Sequence, residues 1–232
     1  MEHGAFTWVS LIPGLAHLPP QVSNGILVSI ILLVIVGLGY RQLKRTEEQI
    51  VPDGKLTFRN LVELMVETIS GIIENTMGPR GVEFTLIIGT LALFILFNNL
   101  SGLVPGFLPA TDNVNTTFAC SLTVFFLTHY YGVREHGIKY LKHFVGPFWW
   151  LAPIMIPIEI IGHLSRPLSL GLRLFGNILG DHLVTGIFVS LIPLLVPLPV
   201  MLLGLFVAFV QTFVFMLLAM SYFAGAIAHE EH

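Results

Sequence analysis

The sequence predicts an all-α membrane protein: transmembrane helices, one amphipathic surface helix, and a C-terminal hairpin of two long, strongly tilted membrane helices. Composition is the first reason. The 232 residues are 54% hydrophobic and 11% charged, with a mean hydropathy of +0.83, whereas about a quarter of a soluble domain is charged. A chain this apolar would expose large patches if it folded in water. The second reason is patterning, since long apolar runs alternate with short polar or turn-rich segments. The third is the placement of basic residues, which cluster in alternate connections. No internal repeat and no stretch resembling a soluble domain is visible, so residues 1–232 are read as a single polytopic membrane domain.

The elements follow in order. Residues 1–21 contain no Lys or Arg, and Pro13, Pro19 and Pro20 oppose one continuous helix there; Leu11–Leu18 is expected at the membrane interface. No basic segment precedes an apolar run near Met1, so no cleavable leader is expected. Residues 22–40 form the first span, long enough for about 30 Å of hydrocarbon, with Tyr40 as an interfacial aromatic. In 55–78 the apolar positions 58, 61, 62, 65, 66, 69, 72 and 73 recur with helical spacing, while Glu63, Glu67 and Glu74 lie elsewhere on the wheel. This amphipathic helix fits the membrane surface, another subunit, or the chain's own spans.

Residues 84–104 form the second span. Asn98 and Asn99 near its end either cap it at the interface or line an aqueous cavity. The turn-rich segment 105–116 has no basic residue, and Asp112 reads as a loop cap. Residues 117–133 form a third span, with Cys120 as a small core residue; a lone cysteine excludes an intramolecular disulfide. His129, His136 and His143 are scattered over the polar segment that follows, without metal-ligand spacing. The last segment, 148–227, is a long apolar hairpin broken at Pro197-Leu198-Pro199. Its first arm carries Glu159, His163, Ser165, Arg166, Ser169, Arg173, Asn177, Asp181 and His182, and its second carries Gln211 and Thr212.

The eleven Lys and Arg residues sort by topology. Arg41, Lys44, Arg45, Lys55, Arg59 and Arg80 lie between the first two spans; Arg134, Lys139 and Lys142 follow the third. The positive-inside rule puts those connections in the cytoplasm, the N-terminus outside and the C-terminus inside. Arg166 and Arg173 remain. Hydropathy alone allows 163–182 to be a polar cytoplasmic loop, but that would expose Leu168, Leu170, Leu172, Leu174 and Phe175 and put the basic-free turn at 197–199 in the cytoplasm. One helix from about 150 to 195 keeps the alternation; at 1.5 Å per residue it runs on the order of 65–70 Å, over twice the hydrocarbon thickness, so it must tilt. An arginine at membrane depth costs at least about 2.5–3.5 kcal/mol and keeps its charge, so these two arginines need a function.

Helical geometry draws a polar seam through them. Ser169, Arg173 and Asn177 are spaced i−4, i, i+4. Arg166 and Glu159 lie seven and fourteen residues before Arg173, both within roughly 40° of it on the wheel. His163 and Asp181 share a neighbouring face.

The run Ser165-Arg166-Pro167-Leu168-Ser169-Leu170-Gly171-Leu172-Arg173-Leu174-Phe175-Gly176-Asn177 resembles the signature of subunit a of the F-type ATP synthase membrane sector. Asn99-Leu100-Ser101-Gly102-Leu103-Val104-Pro105, Asn113-Val114-Asn115-Thr116-Thr117 and Gln211 extend the likeness over most of the chain. The resemblance implies a non-catalytic, proton-translocating stator subunit beside a ring of c subunits, with b-type peripheral stalk subunits, the rest of the ATP synthase and the bilayer as partners. It implies two aqueous half-channels and no cofactor, metal or nucleic acid. It makes Arg173 the essential arginine, and puts Glu159, Asn177, His182, Gln211, Asn98 and Asn99 in the half-channels or near the arginine; Ser169 and Asp181 join the candidate set by their place on the seam and beside it. A Glu/His pair often bridges the last two helices in that family; here His182 is one member and Gly204 stands in the partner's place, so Asp181 or Glu159 is expected to carry more of the relay. A bacterial plasma membrane is the implied location. The competing reading is a stand-alone secondary transporter or channel whose Arg173 binds an anionic substrate; such proteins more often show paired repeats, and this chain has none.

Overall fold

The computed structural model describes residues 8–12, 17–44, 57–104, 106–137, 140, 150, 152–191 and 197–228. Arg45, Lys55, Lys139, Lys142, His143 and the tail after Ala228, on which the sequence reading also drew, lie outside them. Helices α1 (Pro20–Lys44), α2 (Phe58–Met77), α3 (Thr85–Ser101), α4 (Val114–His136), α5 (Ala152–Leu191) and α6 (Pro197–Ile227) dominate, and no strand occurs among the described residues. The chain is an all-α membrane protein. Three stretches are long and apolar enough to cross a bilayer by length and composition: Pro20–Gln42, Pro79–Ser101 and Leu198–Ile227. Helix α4 is more polar, with Asn115, Thr116, Thr117, Ser121, Thr123, Thr128 and His129.

The chain divides into two compact units, Met1–Ala110 and Thr111–His232. In the first, α1 packs on α2 and α3. A Cβ on Gly39 would lie 2.9 Å from Val62 Cγ1, so the glycine permits the close approach of α1 to α2. Within α2, Val62 and Ile73 are buried, but Leu61 and Val66 are more than half exposed, so the apolar stripe read from the sequence is only partly covered within the unit. A short 3-10 segment, Pro79–Phe84, leads into α3. At the other end of α3, Asn98 is wholly buried and ties down the following loop. Its Nδ2 donates to Phe94 O at 2.8 Å, and its Oδ1 accepts from Ala110 N at 3.2 Å. Asn24 Nδ2 donates to Ser101 Oγ at 3.0 Å, and that hydroxyl donates to Asn98 O at 2.7 Å. Asn99 is buried beside it. In an apolar medium such groups must find internal partners, and these give one continuous chain from α1 to the loop.

In the second unit α4, α5 and α6 pack on one another. Asn113, rather than Asp112, caps α4: its side chain accepts from Asn115 N at 2.9 Å. Helix α5 runs unbroken for 40 residues through Pro157 and Pro167, a length of about 60 Å. The polar loop that hydropathy allowed at 163–182 is therefore helix. Its buried positions, His163, Pro167, Leu170, Gly171, Leu174 and Ile178, recur with helical spacing. Gly171 sits where α5 meets α4, and a Cβ there would lie 3.0 Å from Ser121 Oγ. Helix α6 begins at Pro197, so both prolines of the expected break fall in a first turn, where a missing N–H costs little. It buries Ala208, Gln211, Thr212, Phe215, Met216, Ala219, Met220 and Phe223.

Candidate functional site: a polar seam with an exposed arginine

The buried line Leu170, Leu174, Ile178 fixes the rotation of α5 and turns Ser169 and Arg173 outward, where both are exposed. No ion pair between Arg173 and a carboxylate occurs among the described residues. The surroundings are apolar: Leu168, Leu172 and Leu183 on α5 and Leu202, Phe206, Phe209 and Phe213 on α6 are exposed. A guanidinium on such a face, in a membrane, is costly without a polar or charged counterpart.

Toward the N-terminal end of α5, by helical rise about 21 Å before Arg173 at most, a dense cluster forms. Glu159 Oε1 stands 3.1 Å from His163 Nε2, and His163 is 8% exposed. The His163 ring faces that of His129, centroids 5.0 Å apart, and His129 Nδ1 is 2.8 Å from the Tyr140 hydroxyl. Phe125 meets the His129 ring edge-on at 4.4 Å. Arg166 lies 5.5 Å over the Tyr222 ring. Phe125, His129, His163, Arg166 and Tyr222 line one small recess with Thr128 and Pro167, and Glu159 and Tyr140 join it through the two histidines. Tyr140 reaches His129 because Gly132 leaves room; a Cβ there would collide with the phenol ring. Burial pushes the Tyr140 phenol up, Arg166 pulls it back and Glu159 adds to the rise, so it keeps its proton at neutral pH.

Toward the C-terminal end the arrangement is sparser. Asn177, one turn past Arg173, donates to Gln211 Oε1 of α6. His182, about 13 Å along the helix from Arg173 by rise, has Nδ1 at 3.4 Å from Asp112 Oδ2. Asp181 is half-buried beside it. Gly204 is buried; the carboxylate facing His182 comes from Asp112 before α4.

Of the residues singled out from sequence, Glu159, Ser169, Arg173, Asn177, Asp181 and His182 share α5, and Gln211 joins them through Asn177. Asn98 and Asn99 belong to the first unit, described above. Asp112, His129, Tyr140 and Tyr222 were not in the candidate set. Each is far in the chain from its partner, and no local spacing signals the contact. No group of three or more potential metal ligands occurs among the described residues. Chemically, the seam offers proton-carrying groups at two levels of one helix, with a permanent cation between them.

Comparison with known proteins gives the family. Residues 25–224 match the family described as ATP synthase A chain. ATP synthase subunit a 1 of Syntrophotalea carbinolica is 56% identical over 198 residues, 85% of this chain and 82% of that protein. ATP synthase subunit a of Trichlorobacter lovleyi is 51% identical over 217 residues, 92% of this chain and 91% of the relative. That of Geobacter sulfurreducens is 52% identical over 201 residues, 87% and 84% respectively. The signature around Arg173 and these matches agree, and the chain belongs to the ATP synthase A chain family, that of subunit a of the F-type ATP synthase.

Proposed function

We propose that this chain is the stator half of the proton path: a non-catalytic subunit whose two polar ends are aqueous half-channels against a rotating c-ring. The observation that carries the reading is the exposed Arg173 on α5, between a Glu159/His163 cluster and an Asp112/His182 pair. A proton arriving through one end loads a ring carboxylate, travels with the ring and leaves through the other end. Arg173 pairs transiently with the ionised ring carboxylate and favours its charged form. A guanidinium keeps its proton, so it relays none, and its field opposes a direct leak between the ends. Asp112 takes the partner's place that Gly204 leaves empty opposite His182. Asn177 and Gln211 hold the turn of α5 that follows the arginine.

The chain acts as one polytopic domain. Helices α1, α3 and α4 cross the bilayer, and α5 and α6 cross as a tilted hairpin. The N-terminus is outside and the C-terminus cytoplasmic in a bacterial plasma membrane, with b-type stalk subunits as further neighbours. On this orientation Glu159 and His163 lie toward the cytoplasm and Asp112 and His182 toward the opposite side. The test is Arg173→Ala in the assembled ATP synthase. Loss of ATP-driven proton pumping, with the complex intact and ATP hydrolysis retained, is the expected result. Pumping at the parental rate would overturn the reading, and so would a free monomer that transports a solute.

A further inference from the structure

We propose that His129 and His163, which face each other in the recess between α4, α5 and α6, form a two-imidazole proton relay linking Glu159 to Tyr140. This relay presupposes the proton-conducting role proposed above. The geometry supplies its links in order. Glu159 Oε1 and His163 Nε2 are 3.1 Å apart, an ion-pair distance without hydrogen-bond alignment, so transfer there needs a small turn of the carboxylate or the ring. The two rings follow at a centroid distance of 5.0 Å, tilted by 46°, and the relay proposed here crosses from one to the other directly or through one water. His129 Nδ1 then meets the Tyr140 hydroxyl at 2.8 Å.

The surroundings orient the rings between transfers. Phe125 and Tyr140 both meet the His129 ring edge-on. His163 is set by the buried line of α5 that also contains Pro167 and Leu170. Arg166, over Tyr222, is a permanent cation in the same recess and disfavours a resident imidazolium, so transfer runs through neutral rings. A purely structural role would need one hydrogen-bonding group on each helix. Two adjacent imidazoles ending on a carboxyl at one side and a phenol at the other are better matched to proton transfer, because neutral imidazole accepts at one nitrogen and releases from the other.

The proton count closes. A protonated Glu159 gives its proton to His163 Nε2 and becomes carboxylate. His163 releases its Nδ1 proton to His129 Nε2. His129 passes its Nδ1 proton to the Tyr140 oxygen as the phenol's own proton leaves to water. One proton has crossed, both rings are neutral with exchanged tautomers, and a ring turn resets them. The steps reverse when the motor runs backwards.

The experiment uses the whole ATP synthase in liposomes. His129→Gln and His163→Gln remove a ring but keep a polar side chain of similar reach, and His129→Asn and His163→Asn serve where a glutamine variant fails to assemble. Each is expected to lower proton flux through the membrane sector about tenfold, with partial recovery when free imidazole is added. Recovery is a readout that a structural role would not give. Unchanged flux in the variants, or lost flux that imidazole leaves unrestored, would overturn the relay. Arg173→Ala in the same preparation separates the two ideas. Lost pumping there with unchanged flux in the histidine variants sinks the relay alone, whereas retained pumping in Arg173→Ala sinks the proton-conducting reading beneath it.

Discussion

The two ends of α5 flank the same arginine and are built differently. The N-terminal end sets two imidazoles and a second arginine in one recess with aromatic walls, with a carboxylate and a phenol in contact with the imidazoles. The C-terminal end has an amide pair, Asn177 and Gln211, and one carboxylate–imidazole contact at 3.4 Å, with Asp181 beside it. Amides do not titrate, so the first pair can orient α5 on α6 but hands over no proton. The comparison teaches that equal distance from Arg173 is not needed for equal function. On the proposed reading, one end has several proton carriers in series, while the other depends on a single pair.

That contrast is open to direct attack. The largest effect is expected at the sparse end: Asp112→Asn and His182→Gln should each cut proton flux about a hundredfold, more than either single histidine change in the recess. Flux measured in liposomes at equal subunit content checks this, and a loss no larger than at the dense end would erase the proposed difference. A smaller effect is expected from Gln211→Leu. It leaves the Asn177 amide without its α6 partner, at a cost of about 1–3 kcal/mol, and should lower flux severalfold without abolishing it. Thermal unfolding of the complex would register the same change as a lower midpoint. If Gln211→Leu proved as damaging as His182→Gln, the amides would be more than positioning groups.

Much of the fold was legible because it follows from spacing. The helices of the apolar runs, the turn of Arg173 away from Leu170 and Leu174, and the single long helix through 163–182 are all consequences of 3.6-residue periodicity and of an alternating charge pattern. The exposed Leu61 and Val66 of α2 belong to an apolar stripe also read from spacing, though not what covers it. The contacts between distant segments were not legible. His129 was counted among the scattered histidines of a polar segment, and only the packing of α4 on α5 brings it to His163. Asp112 looked like a cap until Asn113 took that role, which left its carboxylate to His182. The 3-10 entrance to α3 at Pro79–Phe84 was likewise unseen, since proline at a first turn and a glycine at φ 71° before it permit a break that hydropathy does not register.

The central claim is that the two polar ends of α5 open to opposite faces of the membrane with Arg173 between them. It is tested most directly by side-specific labelling of this chain in ATP synthase in closed vesicles of known orientation, after Cys120→Ser removes the chain's one native thiol. Glu159→Cys and His182→Cys would each be exposed to a membrane-impermeant thiol reagent from either side. The account predicts that Glu159→Cys reacts only from the cytoplasmic face and His182→Cys only from the other. Reaction of both from the same face would contradict it.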